Sequence, residues 1–139
     1  MASKISLRVA EAVHGASIRV LRIVRAEDVK AGIGPAQLSA LSILVFLGPK
    51  TMGGLAEAEQ VKPPTMSRIV DGLVRQRLAE RATETADRRS LRIAATPRGK
   101  KLLLAGRNRR VRALAKRLEN LSESDLIVLQ KAAQLLGQI

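Results

Sequence analysis

The chain has 139 residues, a formal net charge of +13 and a pI near 11.5, the length of one compact domain and a charge balance that favours a polyanionic partner. It has no Cys, Trp or Tyr, and Phe46 is its only aromatic. Disulfide frameworks, thiol redox chemistry, thiolate metal sites and base-stacking single-strand readers are therefore set aside, and duplex nucleic acid is favoured.

Ser3 to Asp28 read as a first helix. Val9, Val13, Ala16, Val20, Leu21 and Val24 form an apolar stripe, and Ile5, Leu7, Ile18 and Ile23 widen it beyond what one packing partner covers, which suggests burial against a second subunit. The opening MASKISLRVAEAV lacks a signal-peptide core, and no apolar run approaches the ~20 residues that cross a bilayer, so a cytoplasmic chain with no membrane partner is expected. His14 has no Cys or second His with which to share a metal and reads as a packed or surface residue; no metal or cofactor is expected.

Gly34-Pro35 starts a second helix, since proline suits the first turn. Leu38, Leu41, Ser42 and Val45 share one of its faces, and it ends before Gly48-Pro49. Thr51 is a suitable N-cap for a short helix marked by Leu55, Ala56, Ala58 and Val61. Gly53 and Gly54 weaken that helix by roughly 1 kcal/mol each relative to Ala. They form no phosphate loop, because the Lys and Ser or Thr of a Walker pattern are missing.

After Lys62-Pro63-Pro64, Met66, Ile69, Val70, Leu73 and Val74 recur at helical spacing and leave Thr65, Ser67, Arg68, Asp71 and Arg75 on the solvated side. The period then changes. Ala79 to Thr83 suits one strand, and Leu91, Ile93 and Ala95, alternating with Arg92 and Ala94, suit another, with the polar tip Thr85 to Ser90 between them. A helix-turn-helix followed by an arginine-tipped hairpin is a winged helix-turn-helix, a shape suited to the major groove with the wing beside it.

In such a motif the first turn of the second helix reaches base edges. Arg68 suits guanine, Thr65 a thymine methyl and Ser67 a phosphate or base; Lys62 suits phosphate, and Pro64 stands among them. Arg77 stands where the helix turns into the wing. It adopts a left-handed backbone at a cost of about 1 kcal/mol, or the helix unwinds there without one.

Thr96 as N-cap and Pro97 at N1 open a long helix through Leu103, Val111, Leu114 and Leu118, with Arg107, Arg109, Arg110, Arg112, Lys116 and Arg117 around it. Leu121 to Leu126 mark a restart. Ser122 caps, Asp125 reaches back as in a capping box, and Leu121 staples onto Leu126. The last helix carries Leu126, Leu129, Ala133 and Leu136. With the apolar first helix it suits an isologous two-fold interface, for which Leu7, Leu118, Leu126, Leu129 and Leu136 are the expected contacts. From Lys62 to Arg112 stand 15 Lys and Arg against four acids, so 11 of the 13 net charges lie in about a third of the chain. A basic charge held in one ordered segment is the footprint of duplex binding.

Leu55-Ala56, the Thr65 to Leu73 helix, Asp87-Arg88-Arg89 and Thr96-Pro97-Arg98-Gly99, in that order and spacing, resemble the multiple-antibiotic-resistance regulator (MarR) family over nearly the whole chain. The chain departs from it at Arg77, where the family often has Gly, and at Lys62 and Pro63, where it often has Ser or Thr. The resemblance implies a mostly α fold: a winged helix-turn-helix with N- and C-terminal dimerisation helices and a small antiparallel β-hairpin wing. That divides a single domain, 1–139, into a DNA-binding lobe at 35–98 and dimerisation helices at 1–30 and 99–139.

The family likeness also implies a homodimer that reads a pseudo-palindromic operator in duplex DNA. It implies repression relieved by a small anionic or aromatic effector bound between dimer helices and lobe, near Arg19, Leu41 and Arg107. In the wing it makes Asp87 a support paired with Arg89, Arg89 a minor-groove probe and Arg88 a phosphate contact. A carboxylate orients a guanidinium by paired hydrogen bonds, and a narrowed minor groove attracts Arg.

Two other readings stay open from the residues alone, a winged-helix protein-interaction module and a sequence-indifferent architectural DNA-binding protein. An enzyme is not expected. The one His is isolated, and Glu57 and Glu59, two apart, point to different sides of a helix.

Overall fold

The computed structural model describes residues 1–83 and 91–139. The chain opens with α1 (Lys4–Asp28) and a 3-10 turn (Val29–Ala31), then continues through α2 (Pro35–Phe46), β1 (Lys50–Thr51), α3 (Met52–Ala58) and α4 (Pro63–Arg75). Strands β2 (Ala79–Thr83) and β3 (Leu91–Ala95) precede α5 (Pro97–Leu118) and α6 (Glu123–Leu136). Two compact units result, one of Glu27–Asn108 and one of Met1–Ala26 with Arg109–Ile139. The unit Glu27–Asn108 contains the stretch 35–98 expected to bind DNA and is called the lobe below. No single described helix is long and apolar enough to cross a membrane.

The lobe is built on an apolar centre to which its longer helices and the two wing strands contribute. Ala40, Leu41 and Leu44 come from α2, Leu55 and Ala56 from α3, and Met66, Val70 and Leu73 from α4; Leu78, Ala79 and Ile93 close it from the sheet side. Of the four residues that share one face of α2, Leu41 is fully buried. Leu38, Ser42 and Val45 are only half-buried, because the helix is apolar nearly all round and neighbouring elements, not periodicity, choose its inward side.

The sheet has three antiparallel strands in the order β1-β3-β2. Arg81 on β2 stands opposite Ile93 on β3, and Lys50 of β1 opposes the same Ile93 from the other edge. Ile93 is buried as its alternation requires, whereas Leu91, expected beside it, is exposed toward the wing end. Strand β1 is two residues long and has no periodic signature of its own.

Local caps fix the helix starts. The Thr51 hydroxyl accepts the Gly54 N–H at 3.0 Å, and the Ser122 hydroxyl accepts that of Asp125 at 3.1 Å. At the Ser122 restart Asp125 contributes its backbone N–H to this bond.

Arg77 is left-handed, with φ 59°, which decides between the two alternatives at that position. Its N–H donates to the Val74 carbonyl at 3.0 Å, and the Leu78 N–H donates to that of Leu73 at 2.9 Å, closing a Schellman-type end. The Thr96 hydroxyl then works both ways: it donates to the Arg77 carbonyl at 2.6 Å and accepts the Gly99 N–H at 3.0 Å. One side chain thereby ties the end of α4 to the start of α5. Gly99 completes the knot, since a Cβ there would lie 2.1 Å from the Leu78 carbonyl oxygen.

The second unit is different in kind. None of the residues of α1 or α6 is buried, and the buried positions of α5, Gly99, Leu103 and Gly106, all belong to the lobe. Large apolar side chains stand in solvent on α1, at Ile5, Leu7, Val9, Ile18, Val20 and Leu21, and on α6, at Leu126, Ile127, Val128, Leu129, Leu135 and Leu136.

Candidate nucleic-acid interface

Helix α4 is held by one side and offers the other. Met66, Val70 and Leu73 are fully buried, which anchors the helix without using its outer face. Along that face Pro64, Arg68, Asp71 and Arg75 follow at spacings of four, three and four residues and form one stripe, all exposed. Thr65, exposed, and Ser67, half-buried, flank Arg68 on opposite sides of the stripe. Of the residues expected to meet DNA, Lys62, Pro64, Thr65, Ser67 and Arg68 are therefore gathered at one helix end.

The entry to α4 shapes how phosphate could be held there. Lys62 is the N-cap in extended backbone, with its carbonyl accepting the Met66 N–H at 3.1 Å, and Pro63 and Pro64 occupy the first helical positions. Neither proline has an N–H, so the helix start presents fewer free donors than usual. An anion held at this helix start would have to be met by side chains, with Lys62 and Arg68 the nearest cations in sequence.

Asp71 is the one acid on the stripe. Arg81 of β2 donates through Nη2 to its carboxylate, forming an ion pair between the helix and the first wing strand. Sequence reasoning missed this contact. The available signal was an acid among cations on a face otherwise suited to polyanions. A second unforeseen contact lies at the back of the helix, where the Gln37 amide covers Gly72 and Gln76 Nε2 donates to Gln37 Oε1 at 3.5 Å.

The wing-tip residues Asp87, Arg88 and Arg89 lie outside the described residues. Leu7, Leu126, Leu129 and Leu136, expected in a dimer interface, are exposed, and Leu118 is half-buried. Arg19 and Arg107, suggested for an effector pocket, are exposed as well. Leu41, suggested for the same pocket, is a fully buried core residue, with Cδ1 3.1 Å from where a Gly99 Cβ would stand.

A sequence model of the MarR family matches residues 31–90. The chain is 33% identical over 129 residues to the uncharacterized HTH-type transcriptional regulator Mb0904 of Mycobacterium bovis, covering 93% of this chain and 90% of that protein. It is 32% identical over 101 residues to the HTH-type transcriptional repressor MdtR of Bacillus subtilis, covering 70% and 63% respectively. Its fold is shared with a single-residue mutant of S. aureus MepR bound to an oligodeoxyribonucleotide, at a TM-score of 0.72 and 22% identity over 94% of this chain and 96% of that one.

Proposed function

The chain belongs to the MarR family of transcription regulators, and from that premise we propose that it works as a homodimer that binds a pseudo-palindromic operator in duplex DNA and represses transcription there. The observation that carries this reading is the outer stripe of α4. A helix anchored by Met66, Val70 and Leu73 presents Arg68, with Thr65 and Ser67 beside it, at the end that enters a major groove in helix-turn-helix proteins.

Dimerisation is supported by the uncovered apolar side chains of α1 and α6. Two copies joined there would carry two lobes, and half-sites one helical turn apart require recognition helices about 34–36 Å from each other. Repression is supported by likeness to MdtR, a repressor. Release by a small anionic or aromatic effector is proposed from the family likeness. Such a compound must bind more tightly to a lobe spacing that mismatches the grooves than to the DNA-binding one.

The test is to select bound fragments from a random duplex pool and titrate the enriched sequence against random duplex. A specific regulator separates the two by about 10³ or more, and its affinity falls steeply between about 50 and 200 mM salt as phosphate contacts release counterions. Discrimination within about tenfold would instead favour an architectural protein, and weak, salt-insensitive binding would favour a protein-interaction module.

A further inference from the structure

We propose that the ion pair of Asp71 and Arg81 is a positioning device for sequence reading, one that raises discrimination between cognate and random duplex without raising general affinity. This rests on the duplex-reading proposal above.

Asp71 lies on the exposed stripe of α4 with Arg68 three residues before it and Arg75 four residues after it. A carboxylate on a face offered to phosphates is repelled by them, so an acid here lowers affinity for every duplex. A residue that only lowers affinity needs another role.

The partner it takes is not the nearest in sequence. Arg68 and Arg75 both stand at spacings from which a helical arginine reaches a carboxylate. Asp71 nevertheless pairs with Arg81, ten residues further on and in a different element. Arg81 is the central residue of β2 and stands opposite Ile93, the buried residue of β3. The pair therefore joins the helix that carries Thr65, Ser67 and Arg68 to the strand that leads into the wing.

The pair is too exposed to act mainly through fold stability. The two side chains, of Arg81 and Asp71, are 33% and 52% exposed, and such surface pairs contribute only about 0–1 kcal/mol to folding. The contact runs from Arg81 Nη2 to Asp71 Oδ1, and a charge-assisted hydrogen bond of this kind favours one relative direction of helix and strand. A reading surface already held at its working angle loses less freedom on binding a matching duplex, and it adapts less readily to a mismatched one.

Charge alone and bracing predict opposite outcomes for Asp71→Asn. Removing a negative charge from a DNA-facing surface tightens binding to all duplexes. Releasing the brace weakens binding to the cognate duplex and leaves random duplex equal or tighter. The experiment measures the affinities of the full chain for the selected and random duplexes at matched salt, for wild type, Asp71→Asn, Arg81→Lys and the double variant, with thermal melting alongside.

Arg81→Lys keeps the charge and loses the guanidinium that makes the contact. Each single variant is expected to lower the ratio of cognate to random affinity by about tenfold, within the range of coupled contacts, and the double variant to be no worse than either. Melting temperatures should stay within a few degrees of wild type, since the pair is exposed. The proposal is overturned if Asp71→Asn tightens both duplexes equally, if the melting temperature falls while the ratio holds, or if the two substitutions add. A wild-type ratio near one overturns the duplex-reading proposal and this one with it. A wild type that discriminates, beside an Asp71→Asn variant with the same ratio, overturns only the role of the ion pair.

Discussion

The lobe at Glu27–Asn108 closes its own core, with seven large side chains, Leu41, Leu55, Met66, Val70, Leu73, Leu78 and Ile93, almost wholly removed from water. The unit made of Met1–Ala26 and Arg109–Ile139 is also rich in apolar residues but fully buries none of those on α1 or α6, with Val13, Ile23, Val24, Leu114 and Leu118 only half-buried. The contrast separates two tasks. The lobe must hold one helix rigidly enough to present a fixed surface, and it does so within a single chain. The helical unit exposes the kind of side chain that contributes about 1.5–3 kcal/mol each when fully buried, stabilisation that the proposed dimer would collect.

The sharpest way to break this contrast is to remove the helix on which it depends. Deleting residues 123–139, which takes away α6, should leave a folded lobe in a monomeric chain. Operator affinity should fall by about 10² or more, because linking two lobes raises affinity by that order without any new contact to DNA. Sedimentation velocity and fluorescence anisotropy on the same preparation check both parts. A truncated chain that still sediments as a dimer would mean that the uncovered face of α6 is not the interface.

The two units also differ in how far their sequence announces them. Helix α4 was legible because Met66, Val70 and Leu73 recur with one period and polar residues fill the rest. The caps at Thr51, Thr96 and Ser122 were legible because a cap is a local contact, closed within three residues. The inward face of α2 was not, since an all-apolar helix has no pattern from which to choose a side. Strand β1 was too short to show alternation, and the pair of Asp71 with Arg81 exists only once helix and strand have met. At Arg77 the sequence posed the right question and tertiary packing answered it.

The lobe's self-sufficiency can be attacked at the knot between α4 and α5. Gly99→Ala would place a methyl 2.1 Å from the Leu78 carbonyl oxygen, a backbone atom that cannot swing aside. Overpacking of this kind costs about 1–3 kcal/mol, and the melting temperature should fall by roughly 5–15 °C. Arg77→Gly acts at the other end of the same knot and in the opposite direction. It relieves the left-handed strain at φ 59°, and the gain should be below about 1 kcal/mol, because glycine also loosens the unfolded chain. Thermal or denaturant unfolding checks both, and an Arg77→Gly chain less stable than wild type would show that the arginine side chain contributes more than its backbone costs.

Gly72 sharpens the comparison at the smallest scale, because its obstacle is soft where that of Gly99 is rigid. A Cβ at Gly72 would lie 2.1 Å from Gln37 Nε2, the far end of a flexible side chain whose bond to Gln76 is already long at 3.5 Å. Gly72 is inside α4, where alanine is favoured by about 0.8–1.0 kcal/mol. The helix gain and the cost of moving Gln37 should nearly cancel, leaving Gly72→Ala within about 0.5 kcal/mol of wild type. Making the same change in a Gln37→Ala background removes the obstacle, and there Gly72→Ala should stabilise by close to the full helix term. Denaturant midpoints for the four chains of this cycle give the coupling directly. If Gly72→Ala is as damaging with Gln37 removed as with it present, the glycine is required by something other than the amide that covers it.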